Sequence, residues 1–187
     1  MSLRHALLGA LADHPRTGYG LLRHFEQSLA YAWPASHSQI YPELARLLED
    51  GWIEETATGP RGSRTYALTE SGLAEVRRWL RETEPDRRVR NDAALRTFFL
   101  WLLEPAEARD HLERERAHWR SLLAELEEIR EQPVGPSRKE RAFRLALEGG
   151  IRAITARLEW TEWALAQVDS EEWRSAPETT EATPSRV

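Results

Sequence analysis

Apolar residues recur at helical spacing through most of the chain, with one short stretch where the period changes. Leu3, Leu7, Leu8 and Leu11 mark a first helix over about 3–12. Asp13 to Gly18 reads as a turn. A second helix over about 18–31 turns Leu22, Phe25 and Leu29 inward, and Trp33-Pro34-Ala35 ends it. Ser36-His37-Ser38-Gln39 has the S-x-x-Q form of a capping box, a helix start. The third helix carries Ile40, Leu44, Leu47 and Leu48 on one face and stops at Asp50-Gly51. Trp52 to Thr56 and Arg64 to Leu68 are extended in character, joined by a Gly- and Pro-containing turn: a β-hairpin with a long tip. Thr69 caps a fourth helix over about 70–82, with Leu73, Val76 and Leu80 inward.

Beyond a Pro- and Arg-containing linker the pattern is helical throughout. A strongly apolar helix over about 92–103 ends in Phe98-Phe99-Leu100-Trp101-Leu102-Leu103. Glu104-Pro105 breaks it, and a long helix over about 106–131 follows. After Gln132 to Pro136 the last helix runs over about 137–169. Its Leu147, Ile151, Ile154, Leu158, Thr161, Leu165 and Val168 form a heptad seam. The expected class is mainly α: a winged helix–turn–helix of three helices plus a β-hairpin wing at 1–83, then a linker at 84–91. A helical dimerisation domain at 92–170 and a disordered tail at 171–187 complete it.

Composition narrows what such a chain can do. With 187 residues, 41% hydrophobic and 30% charged, it can bury a core. No apolar run approaches the roughly 20 residues that span a bilayer, and no signal peptide is visible, so a cytoplasmic protein without a membrane partner is expected. Cysteine is absent, which excludes disulfides and thiolate chemistry. The net charge of −5 argues against nucleic-acid binding until it is located. Residues 1–90 hold 12 basic and 12 acidic side chains; the remaining 14 and 19 place the whole excess in the second half. Phosphate-cradling, nucleophile-elbow and zinc-protease motifs are all missing, so no enzyme and no cofactor is expected.

Four groups of residues carry candidate chemistry. On a helical wheel Gln39 and Arg46 point away from the apolar face of the third helix, with Ser38 and Tyr41 flanking. Gln39 can read a base edge, Arg46 can take a phosphate or a guanine, and Ser36 and Ser38 can cap the helix and touch phosphate. Arg61 and Arg64 sit beside glycines at the hairpin tip, where a backbone phosphate can approach. A protein-binding module with a structural wing remains the alternative. The seam residues Leu147, Ile151, Ile154, Leu158 and Leu165 want a partner helix, from the same chain or from a second subunit; a dimer using both is the expectation. Trp79, Phe98, Phe99 and Trp101 could form a pocket for a small aromatic or hydrophobic effector, or ordinary packing. His111, Glu115 and His118 share a helix face but lack a fourth ligand, so no metal is expected.

Five segments, in order and spacing, resemble the PadR family of bacterial transcriptional regulators: Leu7-Leu8-Gly9-Ala10-Leu11, Thr17-Gly18-Tyr19-Gly20, Gln39-Ile40-Tyr41-Pro42-Glu43-Leu44, Leu47-Leu48-Glu49-Asp50-Gly51-Trp52-Ile53 and Tyr66-Ala67-Leu68-Thr69-Glu70-Ser71-Gly72. Residues 90–170 resemble the longer helical C-terminal domain of one PadR subfamily. The resemblance implies a homodimer joined through C-terminal helices that binds double-stranded operator DNA. It also implies repression of a nearby operon and release of DNA on binding a small aromatic or hydrophobic compound. It places Tyr41, Arg61 and Arg64 on the DNA backbone. A regulator without a small-molecule effector is the remaining alternative.

Overall fold

Leu7, Leu8, Leu21, Ile40, Leu44 and Leu47 are buried together, and the helices that carry them build the first of two units, Met1–Arg87 and Arg88–Val187. The computed structural model describes residues 2–25, 35–59, 62–85 and 91–176. The expected continuation of the second helix to residue 31, Arg61 at the hairpin tip, most of the linker and the tail from 177 onward lie outside the described residues.

The first unit runs α1 (Ser2–Leu11), β1 (Arg16–Thr17), α2 (Gly18–His24), α3 (His37–Glu49), β2 (Ile53–Thr58), β3 (Arg64–Leu68) and α4 (Glu70–Glu82). It is a winged helix–turn–helix. The hairpin is larger than expected: β1 joins it, pairing Arg16 with Tyr66 and Thr17 with Thr65, in the antiparallel order β1-β3-β2. Two residues carry no hydrophobic period, so this strand reads as turn in the sequence. A Schellman motif ends α3: Gly51, at φ +69°, donates to the Leu48 carbonyl, and Trp52 donates to that of Leu47. The Gly51 carbonyl in turn accepts the hydroxyls of Thr69 and Ser71, each at 2.9 Å. Thr69 Oγ1 accepts the Gly72 amide and caps α4. A Cβ at Gly72 would run into the Trp52 carbonyl, so only glycine lets α4 start this close to the wing.

One face of α4 is polar where an apolar stripe is expected. Leu80 is 68% exposed rather than inward. Its place is taken by Glu75 and Trp79, which meet His5 of α1. The Trp79 indole stacks on His5 at 4.7 Å with the planes 7° apart, and a His5 ring nitrogen lies 3.0 Å from Glu75 Oε1. Arg78 closes on both Glu75 oxygens at 2.7 Å.

The second unit runs α5 (Asp92–Thr97), a 3-10 turn (Leu100–Leu102), α6 (Pro105–Glu131), α7 (Arg138–Val168) and α8 (Glu171–Ser175). The expected helix over 92–103 breaks after Thr97. Its apolar run is unbroken and has no stripe to bury. Leu100 alone enters the core, beside Ala108, Leu112 and Leu165, and i→i−3 bonds such as Leu103 to Leu100 shape the chain around it. The heptad seam of α7 packs on α6 of the same chain. Ile151 and Ile154 meet Leu126, with Leu147 against them, while Leu165 and Val168 join Leu112. Leu158 is half-buried. The intrachain partner that the seam could take is thus α6, in an antiparallel helical hairpin. The tail expected to be disordered from 171 begins with α8, because Ser170 caps it and Trp173 packs on the Leu100 cluster.

The hydrogen bonds from Arg78, then from His5, hold the Glu75 carboxyl at about 2, below its ordinary 4.5. A carboxylate whose pKa is lower when folded stabilises fully above 4.5, and the contribution drains away as pH falls towards about 2. Glu75→Gln should cost about 1–3 kcal/mol at neutral pH, since it removes the carboxylate that accepts both Arg78 bonds and leaves only a neutral hydrogen bond to His5. Denaturant titrations should also show the variant losing less stability than the parent between pH 4.5 and 2. Parallel acid profiles would contradict this role.

Candidate nucleic-acid interface

The third helix divides cleanly. Ile40, Leu44 and Leu47 are buried, while Ser36, Ser38, Gln39, Pro42, Ala45 and Arg46 are exposed on the outer face. The capping box is built as the sequence suggests. The Ser36 amide donates to Gln39 Oε1 at 3.0 Å, Ser36 Oγ donates to the same oxygen at 3.1 Å, and the Ser36 and Ser38 hydroxyls lie 2.9 Å apart. This changes what Gln39 can do. Its oxygen is engaged at the cap, so a bidentate contact to adenine would have to break the cap, whereas Nε2 can donate outward without cost.

Pro42 does not break α3. It lacks the N–H that would reach the Ser38 carbonyl, but Ser38 is exposed, so water can satisfy that oxygen. The first turn tightens instead, with Gln39 and Ile40 amides both donating to the Ser36 carbonyl, at 3.0 and 3.1 Å.

Tyr41 lies across the start of α2. A Cβ at Gly18 would stand 2.8 Å from its ring, so the glycine makes room for the tyrosine. The His37 ring packs on the other side at 4.2 Å between centroids. The Gly18 contact does not show in the periodicity of α3, because Gly18 belongs to α2, whereas His37 and Tyr41 are four residues apart on α3 itself.

The arginines of this surface hold carboxylates. Arg46 Nη1 donates to Glu43 at 2.9 Å, and Arg4 of α1 donates to the same carboxylate at 3.0 Å and to Asp50 at 2.8 Å. The Arg4 guanidinium also lies 4.8 Å over Trp52 at the wing's base. On the wing, Arg64 Nη1 donates to Glu55 at 2.6 Å. Burial first, then the Glu55 carboxylate, pushes the Tyr66 phenol above its ordinary value, while Arg64 opposes the rise. Nothing in the local sequence marks Arg4, Glu43 and Glu55 as members of this surface. Arg4 and Glu43 lie 39 positions apart, and no local spacing can pair them.

Of the four aromatics that could form a pocket or ordinary packing, one belongs to the first unit and three to the second. Trp79 belongs to the first unit, on His5. In the second, Phe98 is 76% exposed and Phe99 is also exposed, while Trp101 lines an open cavity of about 260 Å3 with Leu102, Leu103, Glu104, Trp173 and Arg174. His111 and Glu115 line a smaller recess with Trp119 and Trp160, and His118 sits edge-on to Trp119. Among the described residues no group of three His, Asp or Glu side chains is placed to hold a metal ion, and no helix is long and apolar enough to cross a membrane.

The chain is similar to known proteins along nearly its whole length. Residues 7–78 match the transcriptional regulator PadR-like family, and residues 89–169 match the virulence activator alpha C-terminal family. The negative transcriptional regulator PadR of Bacillus subtilis is 30% identical over 179 residues, which span 90% of this chain and 98% of that protein. The crystal structure of Bacillus subtilis PadR in complex with operator DNA matches with a TM-score of 0.80 at 29% identity, covering 90% of this chain and 100% of that one. Its complex with p-coumaric acid matches at 0.77 and 29%, covering 91% and 100%. The chain belongs to the PadR-like family of transcriptional regulators.

Proposed function

We propose that this regulator is a homodimeric repressor that binds operator DNA through its winged unit and releases it when a small aromatic or hydrophobic compound binds. The division of α3 carries the reading: an apolar face locked into the core and a polar face left outside, beside a wing. The helix would enter the major groove by its N-terminus, where its amides and dipole favour phosphate, with Glu49 and Asp50 at the far end. Ser36, Ser38, Tyr41, Arg46, Arg61 and Arg64 hold backbone in this reading, and Gln39 donates from Nε2 to a base edge. The similarity to a negative regulator crystallised with operator DNA, and with an aromatic acid, supports repression and an effector of that class. The role is binding rather than catalysis, exercised in the cytoplasm.

Dimerisation falls to surface that α6 and α7 do not consume on each other. Phe98, Phe99 and Leu102 are large, apolar and exposed, which suits a second copy. Leu147, Ile151, Ile154, Leu158 and Leu165 would then act by keeping the hairpin straight. For the effector, the open cavity lined by Trp101 and Trp173 together with Arg174 and Glu104 offers aromatic side chains to a planar ring and a guanidinium to an acid.

The direct test is fluorescence anisotropy on the duplex upstream of the protein's own gene, across a salt series, against a random duplex. Tight binding that prefers the upstream duplex and weakens steeply with salt is expected, each phosphate contact adding about −0.9 to the logarithmic slope. Weak, equal binding to both duplexes and to every fragment of a genomic selection would refute the reading. Gln39 gives a finer test. Gln39→Glu keeps a cap acceptor but removes the outward donor, so stability should hold while operator preference falls by about 1–3 kcal/mol. Gln39→Ala should in addition cost about 1 kcal/mol of stability through the lost cap. Unchanged preference in Gln39→Glu would rule out the base contact.

A further inference from the structure

The wing's arginine is not idle in the protein without DNA. Arg64 closes on Glu55 at 2.6 Å, across the two strands of the wing. The register explains how they meet. Glu55 is the direct partner of Tyr66 in the ladder, and Arg64 lies two residues before Tyr66 on the same strand, so all three side chains share one face of the sheet. The register slips between Glu55 and Ala57, so Arg64 stands opposite Thr58 and reaches diagonally to Glu55. That face is the one whose Tyr66 also senses Tyr41 of α3. The pair lies on the wing face that carries Tyr66.

The contrast with Arg46 is instructive. Its carboxylate, Glu43, is only 14% exposed and is shared with Arg4, so Glu43 keeps a cation when Arg46 turns to another anion. Glu55 is 34% exposed, and Arg64 is its ion-pair partner among the described residues. If Arg64 turned to a phosphate, Glu55 would be left facing a polyanion, next to the exposed Glu54.

We propose that Glu55 competes with DNA phosphate for Arg64 and so sets the strength of the wing's sequence-independent grip. The inference rests on the DNA-binding reading above. Each phosphate contact made by Arg64 exchanges one ion pair for another instead of adding one. The net gain is small, and the remaining carboxylate repels the backbone. Base reading by α3 is untouched, so the device lowers binding to any duplex and keeps occupancy of non-operator DNA down.

The test is a double-mutant cycle on the full chain: wild type, Glu55→Gln, Arg64→Ala and the double variant. Binding is read by anisotropy on the upstream duplex and on a random duplex. Both positions are exposed on the wing, and thermal unfolding of each variant checks that the fold persists. Glu55→Gln should tighten binding to both duplexes by about fivefold at low salt, the scale of one exposed ion pair. In the Arg64→Ala background the same change should give a clearly smaller gain, because no cation is released and only the carboxylate's repulsion of the backbone is relieved. A gain of equal size in both backgrounds would mean general repulsion and overturn the competition. Wild-type binding that Glu55→Gln leaves unchanged or weakens would overturn this inference and leave the DNA reading intact. Absence of salt-dependent binding by both wild type and Glu55→Gln on either duplex would overturn both.

Discussion

The carbonyl of Gly51 is the point where the reading surface is joined. It takes two hydroxyls from the start of α4, and its own residue adopts the left-handed conformation that ends α3. Trp52, one residue on, donates back to α3 and accepts the Thr69 amide. Gly72 must lack a side chain for these contacts to form. Helix α3, the wing and α4 thus meet through about six residues whose backbone polar groups are paired with one another. Arg4 reinforces the join from α1, lying over Trp52 and holding both Glu43 and Asp50. A wing fixed this way cannot swing independently of α3, and a rigid pair of elements is what a groove-reading surface requires.

Charge on this surface is organised by pairing and not by excess. The half of the chain that holds it is neutral, and Arg4, Arg46 and Arg64 each hold a carboxylate. Exposed pairs of this kind add little to stability. Their consequence lies in what the guanidiniums must leave in order to hold something else. A neutral winged half can therefore bind a polyanion without binding every polyanion strongly, which a uniformly basic surface cannot do.

Much of this was legible in the chain because long periodic segments advertise their buried face. Helix α3, its capping box, the wing strands and the two long helices α6 and α7 follow from spacing and from Gly, Pro and Ser placement. What escaped has physical reasons. Strand β1 is two residues long and carries no period. The run 98–103 is apolar on every side, so nothing local says that Leu100 goes in and Phe98 stays out. The seam of α7 is correct as a seam, but periodicity does not name the partner, and α6 fills it. Leu80 fits the apolar stripe of α4, yet His5, Glu75 and Trp79 claim that contact through ring stacking and hydrogen bonds. At the candidate interface, the outer residues of α3 were readable from a helical wheel. The carboxylates that restrain Arg46 and Arg64 were not, since they depend on tertiary neighbours and strand register. Arg61 lies outside the described residues.

Helix α3 and the wing form one rigid block joined at Gly51. Native-state hydrogen exchange of the Trp52, Thr69 and Gly72 amides tests it without altering a residue. Each donates inside the join: Trp52 to Leu47, Thr69 to Trp52 and Gly72 to the Thr69 hydroxyl. If the block is rigid, these amides exchange with the same free energy as the Leu44 and Leu47 amides of the α3 core, opening only when the winged unit unfolds. Exchange through a low-energy local opening at these three amides, while the core of α3 stays protected, would show a hinged wing and contradict the account.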